Sequence, residues 1–524
     1  MNLPFATADW IVMAAYVAIL FAGGWFFMPK HTETSQEYFL AGNTVPAWLA
    51  AVSVLSATQS AATFLGGPDY GYRGDYTYLS TNVGGLIGAI VVARVLIPRF
   101  YAMNATTVYE LLTRRFSARA TRWAGGMFLV GRVLAGGARV YLAAIAVSMV
   151  TTSSISPTGI VVASAVVVGA SFLFTFVGGL KSVLWNDLVQ FVIYLGAAVA
   201  VLVYLRLSIP ATTGELIQGL SSTPEGINKL RLFDLSLDPT RPFSMLAITT
   251  GIALLYIANS GLDQDTTQRL LACRDAKTGA RGLYMSVLAT VPVVAVFVTI
   301  GLLLYVFYNR PDLMGGSVPP AAQEFAGQKI NIFMHYILTQ VPPGLRGLVT
   351  VGVMAAAVAT TNSALNAMSS VLIQDFYRPW RERRGGAAER HYVRAGQAGM
   401  GLVGLAMFAM AVLSFYWQRH ADMPLLEFAL QVMVFAYAGL LGVYFTAVFS
   451  SRGSTGSVIA ALLAGFAVVL LLQPAIARAF GLPTFLATLS FPYQLCIGTL
   501  VSTLVCAAPR GGVAGNSAPK AAMA

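Results

Sequence analysis

The chain has 524 residues, of which 57% are hydrophobic and only 10% are charged, and its mean hydropathy is +0.70. A soluble domain averages roughly 25% charged residues because water must wet its surface. This composition therefore excludes an ordinary soluble protein and indicates a bundle of membrane helices. The net charge of +12 does not indicate nucleic-acid binding, since the Lys and Arg residues lie between apolar runs, where they orient membrane helices.

Thirteen apolar runs approach the length of about 20 residues that a helix needs to cross the hydrocarbon core. In chain order they are Trp10–Phe27, Pro46–Gly66, Leu79–Ile97, Trp123–Val150, Gly159–Val177, Asn186–Leu205, Phe243–Ser260, Leu283–Tyr308, Leu345–Ser370, Gln397–Phe415, Glu427–Phe449, Gly456–Leu472 and Phe491–Ala507. Lipid cannot satisfy an open backbone, so each run is predicted to be helical. The sequence predicts an all-α, polytopic membrane protein with one transmembrane domain over residues 1–508. The small, polar stretch 509–524 is expected to be a disordered tail.

The loops between these runs fall into two sets that differ in positive charge. One set carries 20 Lys and Arg residues, Arg269 among them, and the other set carries 10. Positive loops stay on the cytoplasmic side. The sequence therefore predicts a bacterial inner-membrane protein with a periplasmic N-terminus and a cytoplasmic C-terminus.

The second predicted span is unusually polar for a membrane helix. Its polar residues are Ser53, Ser56, Thr58, Gln59, Ser60 and Thr63. A single hydroxyl usually bonds back to its own helix or joins two helices. Six polar residues within eleven positions instead favour an unwound helix that offers oxygens to an ion or a solute. We expect the helix to break at Gly66-Gly67-Pro68.

The seventh predicted span ends in a similar interruption at Asn259-Ser260-Gly261. The two interrupted spans are five apart, which is the spacing expected if spans 2–6 and 7–11 are inverted repeats. Interrupted helices at matching positions of two halves indicate a transporter site. The core repeats would cover about residues 46–205 and 243–449.

The ninth span carries Thr360, Ser363 and Asn366, which lie three or six residues apart and so share one helical face. Oxygen ligands of this kind suit a hard cation such as Na⁺. Nothing in this segment suits zinc or copper.

Apart from Arg94, which is near a helix end and can extend into water, three ionisable residues within predicted spans stand out, because a charge there is costly unless it is paired or solvated. They are Asp187, Arg132 and Arg139. Arg139 lies near the middle of its span, and a solute carboxylate is a suitable partner for its guanidinium. The alternative is a structural ion pair with Asp187, which by depth is more credible for Arg132.

Several ordered segments resemble the sodium/solute symporter family, which includes sodium/glucose, proline, pantothenate and sialic acid transporters. The resemblance runs from about residue 10 to 472. The matching segments are Tyr38-Phe-Leu-Ala-Gly42, Thr107-Val-Tyr-Glu-Leu111, Gly178-Gly-Leu-Lys-Ser182, Trp185-Asn-Asp-Leu-Val-Gln190, Gln264-Asp-Thr-Thr-Gln-Arg269 and Asn362-Ser363-Ala-Leu-Asn366. The resemblance implies a LeuT-type inverted-repeat core with one extra helix before it and two after it.

The resemblance also implies three groups of site residues. A first Na⁺ site would use the carbonyls of Ser56, Gln59, Ala356 and Ala359 with the Thr360 hydroxyl; the family usually has a second hydroxyl residue where this chain has Ala359. A second Na⁺ site, known from sialic acid transporters, would use Asp187, Asn362 and Ser363. The substrate site would use Thr58, Ser60, Thr63, Asn82, Arg139 and Asn259, a pattern nearest to the sialic acid branch.

The expected function is a sodium-coupled symporter that imports a small polar organic solute by alternating access, with a carboxylate such as a sialic acid as one expectation. The coupling ion is Na⁺, no organic cofactor is expected, and the protein is expected to work as a monomer in the lipid bilayer. The alternatives are a symporter of neutral sugar, proline or pantothenate type, and a membrane sensor that binds solute without transport. An enzyme is disfavoured, because the four histidines have neither nucleophile nor metal spacing.

Overall fold

The computed structural model describes residues 5–27, 34–152, 155–321, 324–325, 328–329, 332–421 and 425–508, and this part of the chain is almost entirely helical. Two antiparallel strands of two residues each, β1 (Glu324–Phe325) and β2 (Gln328–Lys329), form its one sheet. The tail predicted over residues 509–524 lies outside the described residues.

Twelve helices make up the chain as far as residue 309. They are α1 (Thr7–Phe27), α2 (Ser35–Leu40), α3 (Ala47–Thr58), α4 (Ala61–Arg73), α5 (Tyr76–Ala102), α6 (Glu110–Arg115), α7 (Ala118–Thr152), α8 (Pro157–Leu207), α9 (Thr213–Ser221), α10 (Met245–Gly261), α11 (Gln264–Leu271) and α12 (Ala276–Asn309). The helices that follow are α13 (Ile332–Thr339), α14 (Leu345–Glu382), α15 (Glu389–Ala421), α16 (Leu425–Phe449), α17 (Thr455–Leu471), α18 (Pro474–Ala479), α19 (Thr484–Ala487) and α20 (Phe491–Ala507).

Seven helices in the described part of the chain are long and apolar enough to cross a membrane, and nine spans result when each of two bent helix pairs is counted as one. Four shorter apolar helices accompany them: Thr7–Leu20, Pro157–Leu173, Thr455–Leu471 and Phe491–Ala507. The chain is therefore a multi-pass membrane protein. The count of thirteen spans stays a prediction.

The first bent pair is α3 and α4, whose axes differ by 66°. The bend lies at Gln59 and Ser60, which have extended backbone, and the Ser60 side chain caps α4 by accepting from the Ala62 amide at 3.2 Å. The break predicted at Gly66-Gly67-Pro68 is wrong, because α4 continues through these residues to Arg73. The glycines there serve packing, since a Cβ on Gly66 would lie 2.9 Å from Leu426.

The second bent pair is α10 and α11, whose axes differ by 55°. Asp263 begins α11 as its N-cap and accepts from the Asp265 amide at 3.0 Å. The interruption predicted at Asn259-Ser260-Gly261 is therefore confirmed to within about two residues. Two broken helices lie at matching positions of the two predicted repeats.

The fifth and sixth predicted spans are two helices within α8 that meet at a kink at Gly179, whose backbone is not helical and has a φ of +55°. The short helix α2 explains this interruption. Tyr38 of α2 lies against it, and a Cβ on Gly179 would come within 2.5 Å of the Tyr38 carbonyl oxygen. Only glycine combines the positive φ with so close an approach.

Helix α14 lies at the centre of the bundle and packs against α3, α4, α7 and α8. Nearly all of its side chains from Val349 to Val371 are buried. This helix carries five of the residues predicted to bind Na⁺, and it packs against both helices of the first bent pair.

The predicted topology can be tested by cysteine labelling with a membrane-impermeant maleimide on a cysteine-free background. Ser222→Cys and Ser317→Cys should react in intact spheroplasts, because they lie in the loops with fewer cations. Ala118→Cys and Ala387→Cys should react only after lysis. All four positions are exposed, so failure to label reports the side of the membrane. Labelling of Ala387→Cys in intact spheroplasts would reverse the orientation.

Candidate functional site

The break between α3 and α4 leaves carbonyl groups without partners. A helix end exposes its last carbonyls, and no donor among the described residues bonds the carbonyl oxygens of Ser56 and Gln59. The Gln59 side-chain oxygen is also buried without a hydrogen-bond partner. Unpaired oxygens inside a membrane bundle are costly, so this break is suited to hold a cation.

Thr360 of α14 is buried, in the helix that packs against both halves of the break. Its hydroxyl donates to the carbonyls of Ala356 and Ala357 at 3.0 and 3.1 Å. A hydroxyl that donates its hydrogen in this way keeps lone pairs free for a cation. The residues of the predicted first Na⁺ site are therefore chemically compatible with Na⁺, and their role as its ligands stays a prediction.

A cavity of about 110 Å³ lies beside the same break. Five of the six residues predicted to bind substrate line it: Thr58, Ser60, Thr63, Arg139 and Asn259. The sixth, Asn82, is not among the lining residues; its amide donates to the Leu79 carbonyl at 2.8 Å. Further polar groups come from Tyr78 and Thr81 of α5 and from Ser286 and Thr290 of α12.

Arg139 is the only lining residue with a formal charge, and its side chain is buried. Its guanidinium contacts the sulfur of Met433 at 3.2 Å. None of the carboxylates in the described part of the chain forms a salt bridge with it. Arg139 thus lines a cavity of mixed polar and apolar side chains and has no salt-bridge partner among the described residues.

The residues of the predicted second Na⁺ site are held differently. The guanidinium of Arg269, a side chain that is 1% exposed, lies 3.1 Å from Asp187 and also donates to the Ser363 hydroxyl. Asn362 is engaged elsewhere, since its amide nitrogen can donate to the carbonyls of Ser171 and Val358 at 2.9 and 3.2 Å. A guanidinium of the protein itself therefore lies between Asp187 and Ser363.

Arg269 was expected in a cytoplasmic loop, and this expectation is wrong. The bend after α10 turns the chain back into the bundle, so α11 is buried rather than exposed. Arg269 donates from Nε to Ser53 at 2.7 Å and pairs with Asp265 at 2.9 Å. Ser53 in turn donates to Asp187.

The alternative pairing of Arg132 with Asp187 is also wrong. Arg132 pairs instead with Asp263 at 3.2 Å and with Asp265. Tyr437 donates to the same Asp263 carboxylate at 2.5 Å. We call Arg132, Arg269, Asp187, Asp263 and Asp265 the buried ion network; it joins α7, α8 and α11.

Sequence reasoning missed this network, although it had recognised Gln264–Arg269 as a family motif. The available signal was the spacing of Asp265 and Arg269, which are four residues apart and pair along one helix face. The other partners are 82 and 131 residues away in the chain. No local pattern could have supplied them.

The sequence profile described as the sodium:solute symporter family matches residues 38–465. The chain is 24% identical over 503 residues to the sodium/sialic acid symporter NanT of Aliivibrio fischeri, covering 96% of this chain and 92% of that protein. It is 28% identical over 380 residues to the human sodium-coupled monocarboxylate transporter 2, covering 71% of this chain but 58% of that protein's length.

Among solved structures, the fold is similar to a Na⁺-coupled sialic acid symporter in a substrate-bound, outward-open state. The TM-score is 0.78 at 21% identity, over 96% of this chain and 98% of that one. This likeness supports the all-α, LeuT-type fold. Because the family profile spans most of the sequence, the chain belongs to the sodium:solute symporter family and is a sodium-coupled transporter rather than an enzyme.

Proposed function

We propose that this symporter imports a small organic anion whose carboxylate binds Arg139. The observation that carries the proposal is Arg139, which lines a cavity with several polar side chains and has no salt-bridge partner among the described residues. The bacterial inner membrane, the periplasmic N-terminus and the monomeric state belong to the same proposal, and the unequal charge of the loops supports the orientation.

A guanidinium recognises a carboxylate through two parallel N–H···O bonds, which fix both its position and its plane. The hydroxyls of Thr58, Ser60 and Thr63 and the Asn259 amide line the same cavity and can bond further polar groups of the solute. A neutral sugar would leave the buried Arg139 guanidinium without a salt-bridge partner. The neutral-solute alternative is therefore disfavoured.

The solutes that two relatives are named for support an anionic solute here. One is a sodium/sialic acid symporter and another is a sodium-coupled monocarboxylate transporter. Sialic acids and monocarboxylates both present a carboxylate. We propose the same chemical class here, and the size of the solute is left open between these two.

The first Na⁺ site would be coupled to the cavity through the backbone of the break. The carbonyls of Ser56 and Gln59 would bind the ion, while Thr58 and Ser60, between and beside them, line the cavity. A cation held there would fix the backbone from which the hydroxyls project. Solute would then bind to an ordered cavity wall, which lowers the entropy cost of its binding.

We propose that coupling relies on this site rather than on Asp187. The Arg269 guanidinium already neutralises Asp187 and occupies the Ser363 hydroxyl. One Na⁺ at the first site and one solute carboxylate at Arg139 would then enter together as a neutral pair.

Replacing Arg139 with Ala or Lys should strongly reduce Na⁺-driven uptake of the carboxylate solute into proteoliposomes at solute concentrations that the parent transports well. The loss of charge-assisted hydrogen bonds of about 1.5–3 kcal/mol predicts a roughly 10- to 100-fold weaker affinity. Lys should not restore uptake, because its ammonium group cannot form the two parallel hydrogen bonds that a planar guanidinium makes to a carboxylate. The probes are radiolabelled sialic acid, lactate, proline and glucose.

The control for this experiment is Arg94→Ala, which removes an exposed cation of α5 that does not line the cavity. It should transport as the parent does. Saturable uptake of a neutral solute that survives Arg139→Ala would overturn the carboxylate proposal.

Replacing Thr360 with Ala should raise the half-saturating Na⁺ concentration several-fold. Thr360 supplies the one side-chain ligand predicted at the first Na⁺ site, and Ala359 offers no second hydroxyl. Uptake measured against Na⁺ concentration tests this. Thr361→Ala is the matched control, because the Thr361 hydroxyl bonds the Ala357 carbonyl at 2.7 Å and lies outside the predicted site. Equal Na⁺ dependence of both variants would show that the ion is misplaced.

Replacing Asp187 with Asn should lower stability by up to about 3–5 kcal/mol, because it removes one of the two carboxylates that pair with the buried Arg269. The loss in thermal unfolding should be the same in Na⁺ and in choline buffer. Asp238→Asn, which disrupts an exposed pair with Arg241, should leave stability nearly unchanged. Normal stability with a raised half-saturating Na⁺ concentration would instead make Asp187 a sodium ligand.

A further inference from the structure

A second concave surface lies on the outer side of the bundle, away from the cavity and the buried ion network. It has a volume of about 640 Å³ and runs between α7, α17 and the end of α14. Three of its residues are substantially exposed: Trp123 at 40%, Val130 at 51% and Leu463 at 50%. In a membrane protein such apolar side chains face lipid. We call this surface the α7–α17 groove.

The mouth of the groove is positively charged. Arg119 and Arg122 lie three residues apart at the start of α7, so they share one face within the first turn. Arg122 donates from Nε to the Ala118 carbonyl at 3.3 Å. Neither guanidinium forms a salt bridge with a carboxylate in the residues that the structure describes. Both charges are therefore available to a ligand.

The depth of the groove matches one leaflet of a bilayer. From Arg119 to Val130 is eleven residues, or about 16 Å along the helix, and half of the hydrocarbon core is about 15 Å. Trp123 directly follows Arg122 and lies about one turn after Arg119, at the level where indole rings sit in the interface. The walls below it are apolar and comprise Met127 and Val130 with Phe376, Leu463 and Phe466.

We propose that the α7–α17 groove is a binding site for an anionic glycerophospholipid. The phosphate would lie between Arg119 and Arg122, and one acyl chain would run along the apolar walls. Basic pockets between membrane helices bind anionic head groups in this way. A zwitterionic lipid also carries a phosphate, but its cationic head group would be repelled by two unpaired guanidiniums. The choice of an anionic lipid follows from this charge.

Gly126 provides the means of testing the groove without changing its charge. It lines the groove, and a Cβ at this position would meet only Phe376, at 3.8 Å. A larger side chain therefore has room to enter the groove. Gly126→Leu should fill the path of the acyl chain and leave both arginines in place.

The experiment uses Trp123 as the reporter in the full-length protein, reconstituted in phosphatidylcholine vesicles. Part of the lipid is replaced by brominated phosphatidylglycerol or brominated phosphatidylcholine, and the quenching due to Trp123 is the difference between the parent and Trp123→Phe. The parent should reach half-maximal quenching at a mole fraction of phosphatidylglycerol at least about fivefold lower than that of phosphatidylcholine, given two arginines at the surface.

The double variant Arg119→Gln/Arg122→Gln should lose this preference, and Gly126→Leu should lower the quenching by phosphatidylglycerol. The control Arg383→Gln/Arg390→Gln removes two exposed cations outside the groove and should keep the preference. Excess inorganic phosphate should have no effect. Equal quenching of the parent by both lipids would overturn the proposal, as would equal loss in the control or competition by free phosphate.

Discussion

A bilayer supplies no hydrogen bonds, so every opened backbone group and every buried charge near the two breaks must find its partner inside the protein. The break at Gln59 and Ser60 leaves carbonyls free, and the break before Asp263 turns charged residues inward. The buried ion network pairs these charged residues with one another by alternating guanidiniums and carboxylates across three helices. The rest of the architecture is arranged around these two openings.

Local patterns predicted the features of the fold that are locally encoded. Apolar runs predicted the helices, and polar residues within two of these runs predicted the two interrupted spans. The position of the first break was missed because Gly66-Gly67-Pro68 was interpreted as a helix breaker. Ser60 was the more informative signal, since it caps a new helix, whereas the glycines allow α4 to approach its neighbours closely.

The site was predicted unevenly for the same reason. Residues near the first break, such as Thr58 and Ser60, share a cavity because they are neighbours in the chain. The partners of Arg132 and Arg269 are set by tertiary packing, and a count of charges between apolar runs placed Arg269 in water. A charged residue that follows a bent helix can lie inside the bundle, and its buried position is recognised only from its ion-pair partners in the structure.

The position of Arg269 beside Asp187 has a consequence for energy transduction. A guanidinium tied to the backbone cannot exchange with the water on either side of the membrane. It stabilises its carboxylate in every turnover, but it brings in no free energy from a concentration difference. The work of a gradient can be done only by an ion that arrives from one compartment and leaves into the other, and in our proposal that ion binds to the oxygens of the first break.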